Sequence, residues 1–369
     1  PWIPLANQPE ARSFMNYPDG VMGGQKSFFG SFEFRFTDPE LLFLRHAPER
    51  FVQMGNADWF DHHGFGQGDG SDTAFRLDLQ LNRAGRSLQF LEPAMVDVTL
   101  TNVSGEPKIV GEHLLSDLAE LTVVVKRDGH PARQYRPYAT YLRKRGLRVL
   151  QPGDSLSDTV FLGADRSAAR DGWLLAEPGR YTIQARLELG DIEIVSAPLE
   201  IRIDCPASRD EERFAQDYLC DEVGRVLFFD GSSVLDSANN ALRELLVKLP
   251  DTNASIHGAI ALARGASNDG RTMTFESKDG EPVKFTRRKA QGDEARRYYK
   301  MALEARPDLA AQSLGRADFR FSVEHYEGLL PEPERKTTKA LIARADQRSE
   351  STPPRRPRRQ GPLAAATAP

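Results

Sequence analysis

Asp97-Val98-Thr99-Leu100-Thr101-Asn102-Val103 alternates polar and apolar residues. That is the period of a strand whose side chains point in turn to a core and to water. The reading extends outward from it across Ala94 to Ile203. Leu121 to Val125 is a more continuous apolar run, closed by Asp128-Gly129, a pair that tolerates positive φ in a hairpin turn. Gln134 to Leu142 carries Tyr135, Tyr138 and Tyr141, and Leu147-Arg148-Val149 stops before Pro152-Gly153. Thr159 to Leu162, Arg180 to Ala185 after Glu177-Pro178-Gly179, and Ile192 to Ile203 complete the series. About eight strand-like runs with turns at this spacing predict an antiparallel β-sandwich. Phe75, Leu77, Leu79 and Leu81 alternate with polar residues upstream, so the strand region is taken as 75–204.

Composition narrows the function classes. The 369 residues leave room for two or three domains, and the formal charge of −4 gives no bulk electrostatic case for nucleic acid. No apolar run approaches the ~20 residues that span a bilayer. The sequence starts at Pro1, its first methionine is Met15, and no signal-peptide pattern precedes it. A start downstream of the natural one is therefore expected. Cys205 and Cys220 are the two cysteines; a bridge between them and two free thiols are both compatible with the spacing.

Beyond Arg209 the period changes to that of helices. Phe214, Tyr218, Leu219, Val223 and Val226-Leu227 form one apolar series. Helices are also expected over Ser233 to Leu249, Ser255 to Arg264, Asp293 to Ala305 and Phe319 to Leu330. A hairpin of Met273-Thr274-Phe275 and Val283-Lys284-Phe285 is inserted among them. Tyr298, Tyr299, Ala302, Leu303, Pro307 and Leu314-Gly315 are similar to one tetratricopeptide unit, with no second copy in register. Residues 209–330 thus read as a helical domain that packs on the strands or binds a protein partner. Residues 331–369, rich in Pro and Arg, read as a disordered tail.

The first 60 residues carry the chemistry-bearing motif. Ser13-Phe14-Met15-Asn16-Tyr17-Pro18 precedes a Phe-rich stretch and a helix start at Thr37-Asp38-Pro39-Glu40, which fits a capping box with Pro in the first turn. Ser-x-Met-x-Tyr before a closing helix resembles the Met-turn of metzincin zinc peptidases, especially the astacin-like and serralysin-like ones. The resemblance covers about the first 50 residues. It implies that Met15 is the apolar floor of a zinc site and that Tyr17 is the catalytic phenol, able to ligate zinc or to stabilise the tetrahedral intermediate. It also implies a peptide or protein substrate, zinc as cofactor and a secreted or periplasmic location. The family's His-Glu-x-x-His motif is absent: His46, His62, His63, His113, His130, His257 and His325 include no pair spaced i, i+4. By the same resemblance, the ligands belong upstream of Ser13, and no zinc is expected in this chain alone.

Residues 61–74 read as a Gly-rich linker rather than a metal loop, because adjacent His62 and His63 point to opposite sides of an extended chain. Arg143, Lys144, Arg145 and Arg148 read as a solvated hairpin tip. Tyr181, following Pro178-Gly179, occupies the position of the tyrosine corner in immunoglobulin-like domains. The expected whole is multidomain α+β: a partial metzincin C-terminal subdomain, a central immunoglobulin-like β-sandwich, a helical domain and a tail. Its expected function is that of the C-terminal part of a zinc endopeptidase. The alternatives are a non-enzymatic protein-interaction module and a carbohydrate-binding module built on Trp59, Trp173 and the Tyr135–Tyr141 ladder.

Overall fold

The computed structural model describes residues 74–335 except 84, 117–119, 139–145, 166–172, 190–191 and 275–283, together with Phe32–Phe34 and Ala340. Met15, Tyr17, the helix expected after Thr37, the linker up to residue 73 and the tail beyond Ala340 lie outside the described residues.

The architecture is mixed α and β, with antiparallel sheets followed by seven α-helices among the described residues. β1 is Phe32–Phe34; β2 (Phe75–Leu81), β3 (Ser87–Leu88) and β4 (Met95–Asn102) follow. β5 (Lys108–Gly111), β6 (Leu121–Arg127), β7 (Arg133–Gln134) and β8 (Leu147–Leu150) come next. Then come β9 (Ser155–Phe161), β10 (Gly179–Leu189), β11 (Ile192–Val195) and β12 (Leu199–Ile203). One sheet runs β3-β12-β10-β6-β7, with β11 beside β12 along the same edge of β10. Another runs β2-β4-β9, and β5 pairs with β8 alone. In β4, Val96, Val98 and Leu100 are buried while Met95, Asp97, Thr99 and Thr101 are half-buried, the alternation that its sequence predicts. These side chains meet Val123, Val125, Ile183, Ala185 and Leu187 of the other sheet in one apolar cluster.

Several boundaries differ from expectation for identifiable reasons. Ile192 to Ile203 is two strands, split where Pro198 withholds a ladder N–H. The strand expected over Gln134 to Leu142 stops at Gln134, just before Tyr135 and Pro137. The Tyr135 amide still reaches the Val123 carbonyl at 2.8 Å, one step further along the β6–β7 ladder, before Pro137 withholds an N–H. β5 is too short and too mixed to stand out in sequence. The tyrosine corner forms: the Tyr181 hydroxyl donates to the Glu177 carbonyl at 2.7 Å. Both cysteines are free thiols.

The helical part begins with α1 (Arg209–Tyr218) and α2 (Asp221–Phe228), which sequence periodicity joins into one series. The break at Leu219-Cys220 exposes the Cys220 carbonyl, which accepts the Trp173 indole N–H at 3.0 Å. Then come α3 (Asp236–Lys248) and α4 (Asn253–Ser267). Thr252 caps α4 by accepting from the Ser255 amide at 3.2 Å. The inserted hairpin is β13 (Gly270–Thr274) with β14 (Lys284–Arg288), and β1 adds to β13 in parallel. α5 (Gly292–Tyr299) ends in a π-helical turn, Lys300–Glu304. α6 (Pro307–Ser313) and α7 (Arg316–Leu329) finish the set. The loop before α3 lies so close to α4 that a Cβ on Gly231 would sit 2.3 Å from the Ala261 carbonyl. One on Gly265 would sit 2.8 Å from Ser232 backbone. Gly231 also has φ +115°, a region that side chains rarely occupy.

Strands and helices share a single core. Trp173 packs on Tyr218 with ring centroids 5.6 Å apart, and Tyr138 meets Phe228 edge-on at 5.6 Å. A polar joint completes the contact. Glu92, fully buried at its side chain, takes an ion pair from Arg83, the Gln89 amide at 2.8 Å and the Asn253 side-chain amide at 2.9 Å. The Gln89 side chain caps the Asn253 backbone at 2.8 Å. Leu91, with φ 66°, holds the left-handed turn that aims Glu92 at α4. Glu92→Ala should therefore cost about 3–5 kcal/mol, because it strands the Arg83 guanidinium. Glu92→Gln, which keeps an acceptor, should cost less; urea unfolding of both variants checks the order.

Candidate functional site

An exposed apolar face on the β5–β8 pair stands out among the described residues. Ile109 faces Val149 across the ladder, and Gly111 faces Leu147. Directly opposed residues share a face, as do residues two apart on one strand. Ile109, Leu147 and Val149 therefore stand together, and they are 68 %, 79 % and 52 % exposed. On the other face Val110 and Leu150 are buried in the core. The pair thus has apolar residues on both sides, where a strand with one solvated face would carry polar ones.

Asn102 fixes this pair to the sheets. Its side-chain amide donates to the Glu106 and Leu150 carbonyls, each at 2.9 Å. Its oxygen accepts from the Ser104 amide at 3.0 Å and the Ser104 hydroxyl at 2.7 Å. Asn102 is fully buried, so every polar atom of its side chain needs such a partner and has one. Lys108 beside the face pairs with Glu106 at 3.7 Å, and Arg148 is exposed. Of the basic cluster read in the sequence, Arg148 lies on β8 and residues 143–145 lie outside the described residues.

The other residues singled out by sequence do not converge. Met15 and Tyr17 lie outside the described residues, as do His46, His62, His63 and Trp59. His113 follows β5, His130 sits in the turn between β6 and β7, His257 is on α4 and His325 on α7. Among the described residues no group of three His, Cys, Asp or Glu could hold a metal ion. Trp173 and Tyr135 are buried, 5 % and 4 % exposed, so neither offers a platform to a sugar. The apolar face itself went unnoticed in sequence because Lys108-Ile109-Val110-Gly111 is too short to show a period.

Buried ionisable groups brace the helices. Arg264 on α4 is 4 % exposed and meets Asp230 at 3.2 Å, Asp318 and the Ser322 hydroxyl at 2.8 Å. Burial works against its charge, but Asp318 and Asp230 more than offset that and keep it protonated. His257 is buried with Nε2 unpartnered. Burial pushes its pKa below 6.5, although Glu92 and Asp318 pull the other way; Arg264 reinforces the lowering. The neutral imidazole is thus the form that the fold accepts. In the unfolded chain histidine takes up a proton near pH ~6.5, so stability is full above that value and falls as pH drops through it. The melting temperature should decline from pH 7 to pH 5, and His257→Gln should flatten that decline.

No family model and no curated protein matches this chain. Among solved structures, a β-glucosidase from Erythrobacter marinus aligns at 17 % identity and TM-score 0.23, over 36 % of this chain and 16 % of that one. A β-glucosidase from Listeria innocua aligns at 16 % identity and TM-score 0.21, over 38 % of this chain and 17 % of its own. A CARDB domain from Pyrococcus furiosus, solved with two metal ions, aligns at 14 % identity and TM-score 0.21, over 37 % of this chain and 94 % of that domain. This chain spans less than a fifth of either glucosidase's length. Likenesses of this size carry no argument about function.

Proposed function

We propose that this chain is the partner-binding, C-terminal portion of a zinc-dependent endopeptidase, in which residues 75–204 form an immunoglobulin-like sandwich. Its β5–β8 face would hold the unfolded polypeptide substrate away from the cleavage site. The observation that carries the binding role is the exposed Ile109, Leu147 and Val149 cluster. Clustered exposed aliphatics mark interaction surfaces more often than free surface. The peptidase assignment rests on the Met-turn likeness of Ser13 to Tyr17, with Met15 as floor and Tyr17 as catalytic phenol. The described residues do not supply a zinc site; under this reading the ligands lie outside the 369 residues.

Binding is tested on this chain directly. Labelled reduced casein should bind the wild-type protein, and Ile109→Glu/Val149→Glu should weaken that binding at least about tenfold by burying unpaired charge against the ligand. Unchanged binding removes the role assigned to the face. Binding by a complete protein that shows no peptidase activity would favour a non-enzymatic interaction module, whereas full turnover in Tyr17→Phe would make Tyr17 structural.

Tyr17 and Met15 are separable by substitution in the zinc-bearing protein. Tyr17→Phe keeps the ring and loses the hydroxyl, so turnover should fall on the order of 10²–10³-fold with folding retained. Met15→Leu preserves volume and should cost about 1.5 kcal/mol at most. Steady-state kinetics and melting temperatures on both variants report the two effects independently.

A further inference from the structure

The free edge of β8 carries backbone groups that its own ladder leaves unpaired. The Glu112 amide donates to the Gly146 carbonyl at 2.9 Å, directly opposite it when the β5–β8 register is continued by one residue. Antiparallel strands alternate between opposed residues that exchange both bonds and opposed residues that exchange none. Val110 with Arg148 and Lys108 with Leu150 are therefore the bonded pairs, while Ile109 with Val149 and Gly111 with Leu147 are not. The N–H and C=O of Leu147 and Val149 thus point away from β5, and no other described strand pairs with β8. Among the described residues nothing else meets these four groups. The same two residues supply side chains to the exposed apolar face.

The edge next to it shows how such groups are closed elsewhere in this fold. β9 is the outer strand of its sheet, and by the same alternation its Thr159 amide points outward. The Asp158 carboxylate accepts that amide at 2.8 Å. Native sheets guard their edges because an open one templates pairing with another chain. On β8 no side chain closes the two amides, and the one charge on the strand, Arg148, is exposed and meets no carboxylate among the described residues.

Side-chain chemistry limits what pairs there. Ile109, Leu147 and Val149 together bury on the order of 300 Å² at most, about half of what each partner contributes to a small stable interface. That holds a second folded copy too weakly. An extended segment adds main-chain bonds to the same apolar contact. In antiparallel pairing its residues stand directly opposite Leu147, Arg148 and Val149. Those opposite Leu147 and Val149 fall on the apolar face, and the one between them falls on the side of Arg148.

We propose that β8 takes an extended peptide as an added antiparallel strand, with apolar residues opposite Leu147 and Val149 and an aspartate or glutamate opposite Arg148. The proposal rests on the polypeptide-holding role given above to the β5–β8 face and supplies its binding mode and sequence preference.

The experiment is a titration of the intact chain with fluorescein-labelled Thr-Val-Glu-Val-Thr, read by anisotropy. Its counterparts are Thr-Val-Lys-Val-Thr and the glutamate peptide N-methylated at both valines. Saturation on the order of millimolar is expected for so short a ligand. The lysine and N-methylated peptides should each bind at least about tenfold more weakly, one through like charge and the other through lost donors. Arg148→Glu should reverse the order of the glutamate and lysine peptides. Val149→Pro keeps an apolar side chain and removes an amide that the ladder does not use, so it should weaken the glutamate peptide about tenfold; the N-methylated peptide gives the same reading if that variant does not fold. No saturation, equal binding of the N-methylated peptide, or a charge preference that Arg148→Glu leaves unchanged would each overturn strand addition, while casein binding lost in Ile109→Glu/Val149→Glu would still uphold the face. Casein binding unchanged in that double variant removes the underlying role and this one with it. A doubling of mass in solution that Val149→Pro abolishes would assign the edge to a second copy and overturn the peptide.

Discussion

The whole arrangement depends on a carboxylate held out of water. Glu92 leaves the strand region on a left-handed turn at Leu91 and meets α4 at its first residue. The start of a helix carries unsatisfied amides and a partial positive charge. Glu92 accepts from the Asn253 side chain there, while Arg83 holds it from the strand side. Desolvating these charges is unfavourable by itself, and only the full set of partners offsets it. The joint therefore selects one orientation of helices against strands. Apolar contact between Trp173 and Tyr218 supplies area, but area alone does not fix an angle.

The strand half was legible because its signals are local. Alternation in β4, the Asp128-Gly129 turn and the Pro178-Gly179-Arg180-Tyr181 corner each rest on neighbours within a few residues. The helices expected over 233–249, 255–264, 293–305 and 319–330 lie within a few residues of α3, α4, α5 with its π-helical turn, and α7, while α6 had no helix expected over it. What escaped reading depends on partners distant in the chain. The Leu219-Cys220 break makes sense only against Trp173. The β5–β8 face is an extreme case, since Ile109 and Val149 are neighbours through a register that no sequence period specifies. The Met-turn residues Ser13 to Pro18 lie outside the described residues, so the described fold does not test that likeness.

The β5–β8 pair and the contact between α3 and α5 differ in how their surfaces are made. The β5–β8 pair turns Ile109, Leu147 and Val149 outward, and Asn102 ties it to the sheets through the Glu106 and Leu150 carbonyls. Helices α3 and α5 approach through Arg243, which donates to the Tyr298 hydroxyl and pairs with Glu294. Both are built from side chains whose positions are set by buried partners.

The crossing of the loop at Gly231 over α4 at Gly265 bears on ancestry. The backbones touch where any side chain would collide with a carbonyl or an amide, not with a flexible tip that could turn aside. Neither position can drift on its own, since a methyl at one would have to be absorbed by main chain at the other. A lineage that kept this helix arrangement would retain both glycines long after the surrounding leucines and alanines had exchanged for one another. Kin that keep this crossing would therefore carry glycines 34 residues apart, whatever their overall identity.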